Sequence, residues 1–493
     1  MRAIKTHELT PLTMPDSETE KLWIYNGLDC CVTAEVLEVL LPQLSPQTQK
    51  TYEFSKSLQG PVLDMGRRGV LIDAKRKEEL LQEYWEKVDK RERWIERMAK
   101  EAFGIVGFNW RSPADLQRMF YDKCRFPVIT TKEGRPTVNR SALEKIEKEC
   151  RLASYVIRLI TESRELTKRM EALNKKTLDG RMRTSYNIAG TVTGRFSSSW
   201  AEFGDGGNMQ NIEEGLRSIF ISDPGMKMAT FDAEQGESRC VGAIEWNLFK
   251  DDKYLNSCQS GDLHTVVSRL CEPDYGWTGD LIEDRKIAEK PYYRHHDLRK
   301  LCKSIGHGTN YGGQPNTLSR MYKVEVALIA EFQKKYFKAF PAHRMWHAWV
   351  ENQIRSVGHL TSLTGRLRHF FGRRDSPDTY RQALDFDPQG SLSDIVNAGM
   401  LKVWLSECCE LLIQGHDSIT VQYHEEQEDD TITEILSYLY HELTLKHNRT
   451  MTIPYGIKTG WNWGSYSATN PDGLKAYRPG DKRTRQSPLP KLD

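Results

Sequence analysis

Apolar residues recur at helical spacing through "VTAEVLEVLL" (residues 32–41), and "LSP" then breaks the pattern. From 76 to 178 the chain is long, charged and helical in pattern, as in "KRKEELLQEYWEKVDKRERWIERMAKEAF", with a polar loop "TTKEGRPTV" between two helical stretches. That region is expected to be a projecting helical arm. From 180 the character changes to β-branched, small and hydroxyl residues with interspersed arginines, "GRMRTSYNIAGTVTGRFSSS". "MKMATFDAEQ" predicts a buried strand ending in a carboxylate, followed by a helix start. Residues 246 to 355 are helical again. "ELLIQGHDSITVQYHEE" places two apolar arms around Gly415, His416, Asp417 and Ser418, which predicts a β-hairpin with a charged turn. No internal repeat is visible, and the basic, proline-containing tail "AYRPGDKRTRQSPLPKLD" is expected to be disordered.

Length and composition change this picture in a few places. A chain of 493 residues exceeds one ordinary core, so several subdomains are expected. Charged residues at 28% and aromatics at 10% exclude a disordered chain. A net charge of +2 means that any nucleic-acid binding has to come from local basic stripes. Ten cysteines without CxxC or metal-finger spacing fit reduced thiols. No apolar run reaches the ~18 residues of a membrane helix, and the first residues lack a signal peptide's apolar stretch, so the chain is expected to be intracellular, without a membrane partner.

Two strand-end carboxylates, Asp232 and Asp417, would form an all-oxygen site for Mg²⁺ if the fold places them side by side. A helix N-cap and a turn residue are the plainer readings, and position along the chain does not bring the two together. In "RKLCKSIGHGTNYGG" (299–313), residues four apart advance about 40° around a helix, so Arg299, Lys303, His307 and Tyr311 share one drifting stripe. Two cations there can grip phosphates and an aromatic can stack on a base; a solvated basic face is the alternative. The glycines would let something large approach the backbone.

Four ordered segments resemble family A DNA polymerases, the polymerase I-like enzymes. "TSYNIAGTVTGRFSSS" with "NMQNI" resembles the TGRLSS and NLQNI elements. "FDAEQGESR" resembles motif A, "RKLCKSIGHGTNYG" motif B and "HDS" motif C. "GDLH", "RQALDFDPQG", "MGRRGVLID", "FNWRSPADLQ" and "LTGRLR" also have counterparts, so the resemblance spans residues 25 to about 463.

It implies an α+β right-hand polymerase fold, a palm with an antiparallel sheet plus helical fingers and thumb. The expected divisions are an exonuclease remnant 1–48, palm entry 49–75, thumb 76–178, palm 179–245 with motif A, fingers 246–355, palm 356–475 with motif C, and the tail 476–493. It also implies template-directed 5′→3′ extension of a DNA primer with dNTPs. Asp232, Asp417 and the Ala233 carbonyl would hold two Mg²⁺ ions. Arg299, Lys303 and His264 would contact the triphosphate. Glu237 would be the steric gate against a ribose 2′-hydroxyl, bonded to Tyr311, with Gln235 and Arg239 lining the site. Arg195, Asp385, Gln389 and Arg381 would lie at the minor groove, where donors test pairing geometry without reading sequence. Asn208, Gln210 and Asn211 belong to the NLQNI-like element on the DNA side, and His416 would lie near the primer terminus.

Several positions depart from the family pattern. Ser418 stands where a third acid is usual, and Asp385 where Asn is common. His307 replaces the aromatic beside the nucleotide sugar, which implies discrimination against dideoxynucleotides. Gly236 and Ser238 replace apolar residues, which is expected to loosen the packing behind the gate. Tyr25 and Asp29 match only the last motif of a 3′→5′ exonuclease, so proofreading is expected to be lost or supplied by a separate subunit among other replication proteins. A phage or viral enzyme acting in an infected cell is the expected setting. The alternatives are a single-subunit RNA polymerase and a non-catalytic DNA-binding subunit of a replication complex.

Overall fold

The computed structural model describes residues 17–175, 177, 179–199, 206–294, 296–481 and 483–486. Helix α1 (Glu18–Leu40), capped by the Ser17 hydroxyl, carries Tyr25 and Asp29, and none of its residues is buried. Two shorter helices, Pro46–Ser57 and Gln59–Arg68, lead into the body.

The helical arm rests on α2 (Ala74–Phe103) and α3 (Arg151–Leu173), which pack on each other. On α2 the buried residues Leu80, Tyr84, Val88, Ile95 and Ala99 form one stripe, spaced as a 3.6-residue period requires. Asp73 caps its start, and Gly104, in the left-handed region at φ 67°, ends it.

The sheet that positions the site has five strands, all antiparallel. They are β1 (Met226–Ala233), β2 (Glu410–Gln414), β3 (Ser418–His424), β4 (Tyr455–Gly460) and β5 (Lys475–Ala476), in the order β2-β3-β1-β4-β5. Along β1 the side chains alternate. Ala229, Phe231 and Ala233 enter the core beneath the sheet, whereas Thr230 and Asp232 emerge on the open face.

After β1 the chain turns directly into α4 (Gly236–Phe249) and continues through α5 (Lys253–Gln259) and α6 (Leu263–Cys271). A helical lobe follows, of α7 (Leu298–Asn310), α8 (Pro315–Tyr322), α9 (Val326–Ala339) and α10 (Ala342–Ser356). The chain returns through α11 (Pro377–Ser406), which runs under the sheet, and α12 (Glu428–Leu439) lies beside it.

Three cores result. One joins the arm to the sheet edge through Phe220, Met228 and Trp463; a second lies between the sheet and α11; a third, centred on Ile305, Tyr336 and Trp346, fills the helical lobe. All ten cysteines are free. No helix among the described residues is long and apolar enough to cross a membrane.

The expected disordered tail needs correction for its described part. Residue 475 onward is drawn onto the sheet, because β5 pairs with β4, the Tyr477 hydroxyl donates to Asp429 at 2.5 Å, and Arg483 donates to the carbonyls of Thr459 and Pro471 at 2.9 and 2.8 Å. The sequence does not show this because the carbonyls that hold Arg483 lie 24 and 12 residues away along the chain. Residues 487–493 lie outside the described residues.

Candidate active site

Register brings the two carboxylates together. Asp232 pairs directly with Ser418 across β1 and β3, and the Ala233 N–H donates to the carbonyl of Asp417 at 2.9 Å. Asp417 therefore sits one residue beyond the last pair, in the turn between β2 and β3, beside the open end of β1. Both side chains are exposed to a cleft of about 510 Å³ whose walls also carry Gln235, Glu237, His264, Arg299, Lys303 and His307. The Asp232 carboxyl is pushed up to about 6, first by loss of water at the cleft wall and then by the like charge of Asp417, with Lys458 and Lys303 opposing.

The opposite wall is α7. Its N-cap is Asp297, and Lys303 and His307 are exposed on the stripe toward the cleft. Arg299 is held in a fork: its Nε and Nη2 donate to Asp262 at 2.9 and 3.0 Å. Burial alone would raise the Asp262 carboxyl, but the Arg299 and Thr265 hydrogen bonds outweigh it and hold that group below its ordinary value. Asp262 also caps α6 through Thr265, so one carboxylate fixes both helices. His264, on the first turn of α6, is pushed down to about 4 by burial and by the nearby Lys303 and Arg299, and is neutral at pH 7.

Glu237 opens α4 and is shared three ways. The Tyr311 hydroxyl and Arg195 Nη2 both donate to its carboxylate, and His307 Nε2 lies 3.9 Å away. The His307 and Tyr311 rings meet edge to face at 5.0 Å. Gln235 precedes the helix with φ 55° and ψ 28°, a left-handed conformation uncommon for a residue with a side chain. Its amide donates to the Gly261 carbonyl and accepts from the Leu263 N–H, tying β1 to the turn before His264. Arg239 is buried and donates to the carbonyls of Glu234, Thr452 and Cys258.

Residues 78–465 match the family described as DNA polymerase family A. The chain belongs to that family. Among its relatives, the thermostable DNA polymerase I of Thermus filiformis is 25% identical over 442 residues, 83% of this chain and 48% of that protein. DNA polymerase I of Geobacillus stearothermophilus is 26% identical over 444 residues, 85% and 47% of the two chains. The chain thus spans about half the length of these relatives. A solved structure of the polymerase domain of Pol1 from M. smegmatis, in complex with DNA primer-template and dNTP, superposes with a TM-score of 0.65 at 22% identity, covering 83% of this chain and 69% of that one. The α+β polymerase fold expected from the sequence is therefore present.

The expected DNA-side residues separate into three sets. Arg195, Asp385 and His416 lie around Glu237: burial and the Glu237 charge push the Asp385 carboxyl up to about 6, and burial with the nearby Arg195 lowers His416. Gln389 is half-buried on α11, and Arg381, exposed on the same helix, pairs with Asp378. Asn208 and Gln210 also hold local structure, and Asn211 is exposed. Asn208 caps the short turn Met209–Asn211 through the Asn211 N–H and donates to the Ser198 carbonyl, and Gln210 donates to Gln414.

Two expectations about glycine and packing are corrected. A Cβ at Gly236 would lie 2.4 Å from Leu392 Cδ1, so α11 fills the space and the packing behind Glu237 is tight; the Ser238 hydroxyl engages Tyr254. Gly308 admits Leu318 of α8, which a Cβ would meet at 2.6 Å, and that contact explains the residue without a ligand. Gly306 does line the cleft.

Sequence reasoning missed Asp262, Arg285 and Lys458. Asp262 stood in plain view within "GDLH", but its pairing with Arg299 is a contact between helices. Arg285, which lines the cleft with its Nε 4.0 Å from Asp262, looked like any cation on a surface helix. Lys458 reaches Asp232 only through the β1–β4 register.

Proposed function

We propose that the chain is a DNA-directed DNA polymerase that extends a primer 5′→3′ on a DNA template with dNTPs. The observation that carries this reading is the placement of Asp232 and Asp417 at adjacent strand ends facing the Lys303 and Arg299 side of α7 across one cleft. Among the described residues no cluster of three or more His, Cys, Asp and Glu side chains forms a metal site. The set at the cleft is two exposed carboxylates and the Ala233 carbonyl, hard oxygen donors that suit Mg²⁺ completed by substrate phosphates. A bound pair of such ions would activate the attacking 3′-oxygen and stabilise the leaving phosphate.

The chain's own groups then have distinct tasks. Lys303 and the Asp262-anchored Arg299 hold triphosphate charge, and neutral His264 offers a ring N–H to a phosphate oxygen. The Glu237 side chain, pinned by Tyr311 and Arg195, occupies the space a 2′-hydroxyl would need. With His307 beside the sugar, dideoxynucleotides are discriminated against. Arg195, Asp385, Gln389 and His416 face the primer end, and Arg381 the duplex beyond it.

The test is single-nucleotide addition to a labelled primer on four templates differing in the next base, with each dNTP and each rNTP and Mg²⁺. Addition of only the complementary dNTP is expected. Preferential use of rNTPs would favour the RNA polymerase reading, and binding of primer-template without addition would favour a non-catalytic subunit.

A further inference from the structure

The helical lobe contains a polar circuit that begins and ends on α4. At the start of that helix, the Glu237 carboxylate accepts the hydroxyl of Tyr311. The residue before Tyr311, Asn310, accepts at Oδ1 from the Tyr336 hydroxyl at 2.8 Å. The Tyr336 oxygen lies 3.3 Å from His343 Nε2, and His343 Nδ1 lies 2.5 Å from Glu245 Oε1. Glu245 is on α4 again, about two turns beyond Glu237. Asn310 is held from two further sides: its Nδ2 donates to the Tyr254 hydroxyl at 3.0 Å, and its carbonyl accepts from His347 Nε2 at 2.8 Å. Glu245 and His343 are both 0% exposed, with Tyr336 at 1% and Asn310 at 2%.

Proton accounting leaves little freedom. The Tyr336 proton goes to Asn310, so its oxygen accepts from His343 Nε2–H. Nδ1 faces the Glu245 carboxylate at 2.5 Å; burial raises that acid and the neighbouring His343 opposes the shift. Apart from this close approach, neither Glu245 oxygen nor His343 Nδ1 has a hydrogen-bond partner among the described residues, so removing His343 would strand a buried acid. Apolar residues of the same volume could fill such a site without loss of stability. What they could not supply is a directional constraint on Asn310, which α5, α9 and α10 all reach, one residue before Tyr311. The aromatic members, Tyr254 and Tyr336, line the same cleft as Asp232 and Lys303.

We propose that Glu245, His343 and Tyr336 are positioning residues that set Tyr311 and Glu237 against the sugar of the incoming nucleotide, and so govern nucleotide affinity and sugar selection. The proposal rests on the polymerase reading above. Glu245→Ala breaks the circuit at the acid, whereas Glu245→Gln keeps a donor for Nδ1. Tyr336→Phe removes one hydroxyl and keeps the ring, and so tests the circuit with the least disturbance of the fold.

The measurements are KM and kcat for a dNTP, the ratio of kcat/KM for dNTP over rNTP, primer-template affinity and Tm. Tyr336→Phe and Glu245→Ala are expected to raise KM roughly 3- to 10-fold, the size of one hydrogen bond, and to lower the sugar ratio by a similar factor. DNA affinity stays unchanged, and Glu245→Gln recovers most of the loss. A folded Tyr336→Phe protein with unchanged KM and unchanged sugar ratio would overturn the proposal, as would losses in Tm and kcat that leave the ratio intact. If the wild-type protein adds no nucleotide, it is the polymerase reading that has failed.

Discussion

Asp232 carries opposite demands. Water loss at the cleft wall and the charge of Asp417 push its carboxyl up to about 6, so above that pH the folded protein holds a charge it disfavours. Its folded value lies above the ordinary aspartate range near 4, so the folded state binds the proton more tightly than the unfolded chain. The stabilisation is complete below pH ~4 and is lost as pH rises through ~6. In metal-free buffer, Asp232→Asn should therefore melt above the wild type at pH 8. The gap should close as pH falls from about 6 to about 4, as read by thermal denaturation across that range. An equal Tm for the two proteins at pH 8 would contradict the electrostatic account. At the same scale, Asp262 serves the site through Arg299. Asp262→Ala should leave primer-template affinity intact and raise the dNTP KM roughly tenfold, because the fork that aims the guanidinium is gone. Steady-state kinetics checks this, and an unchanged KM would assign Asp262 to helix capping alone.

At the level of elements, the sequence and the structure can be compared residue by residue. The strand ending at Asp232, the helix after it, the hairpin around Asp417 and the stripe on α7 were all legible, because each is written in local periodicity. What was illegible is long-range. Arg195 reaches Glu237, Arg299 reaches Asp262, and Leu392 fills the space over Gly236, each across many intervening residues. A glycine within a motif looks like slack when only its neighbours in sequence are visible; here α11 packs into it. Gly236→Ala should accordingly destabilise the fold by about 1–3 kcal/mol, since Leu392 has to leave its position. Chemical denaturation measures that loss, and a neutral substitution would show that α11 yields easily.

Across the whole molecule, three cores meet around one cleft: the arm and sheet edge, the sheet with α11, and the helical lobe. Asp232 and Asp417 belong to the sheet, while Arg299, Lys303 and His307 belong to the lobe, so the site exists only where these two bodies face each other. The central claim is that the two carboxylates perform chemistry and do not hold DNA. Primer extension by Asp232→Ala and Asp417→Ala, measured beside primer-template affinity on the same preparations, tests it most directly. Extension should fall by at least about 1000-fold in each, as expected when a ligand of a catalytic metal is removed, with affinity for primer-template within roughly threefold of wild type. Extension that survives either substitution, or a loss of extension matched by a loss of DNA affinity, would contradict the account.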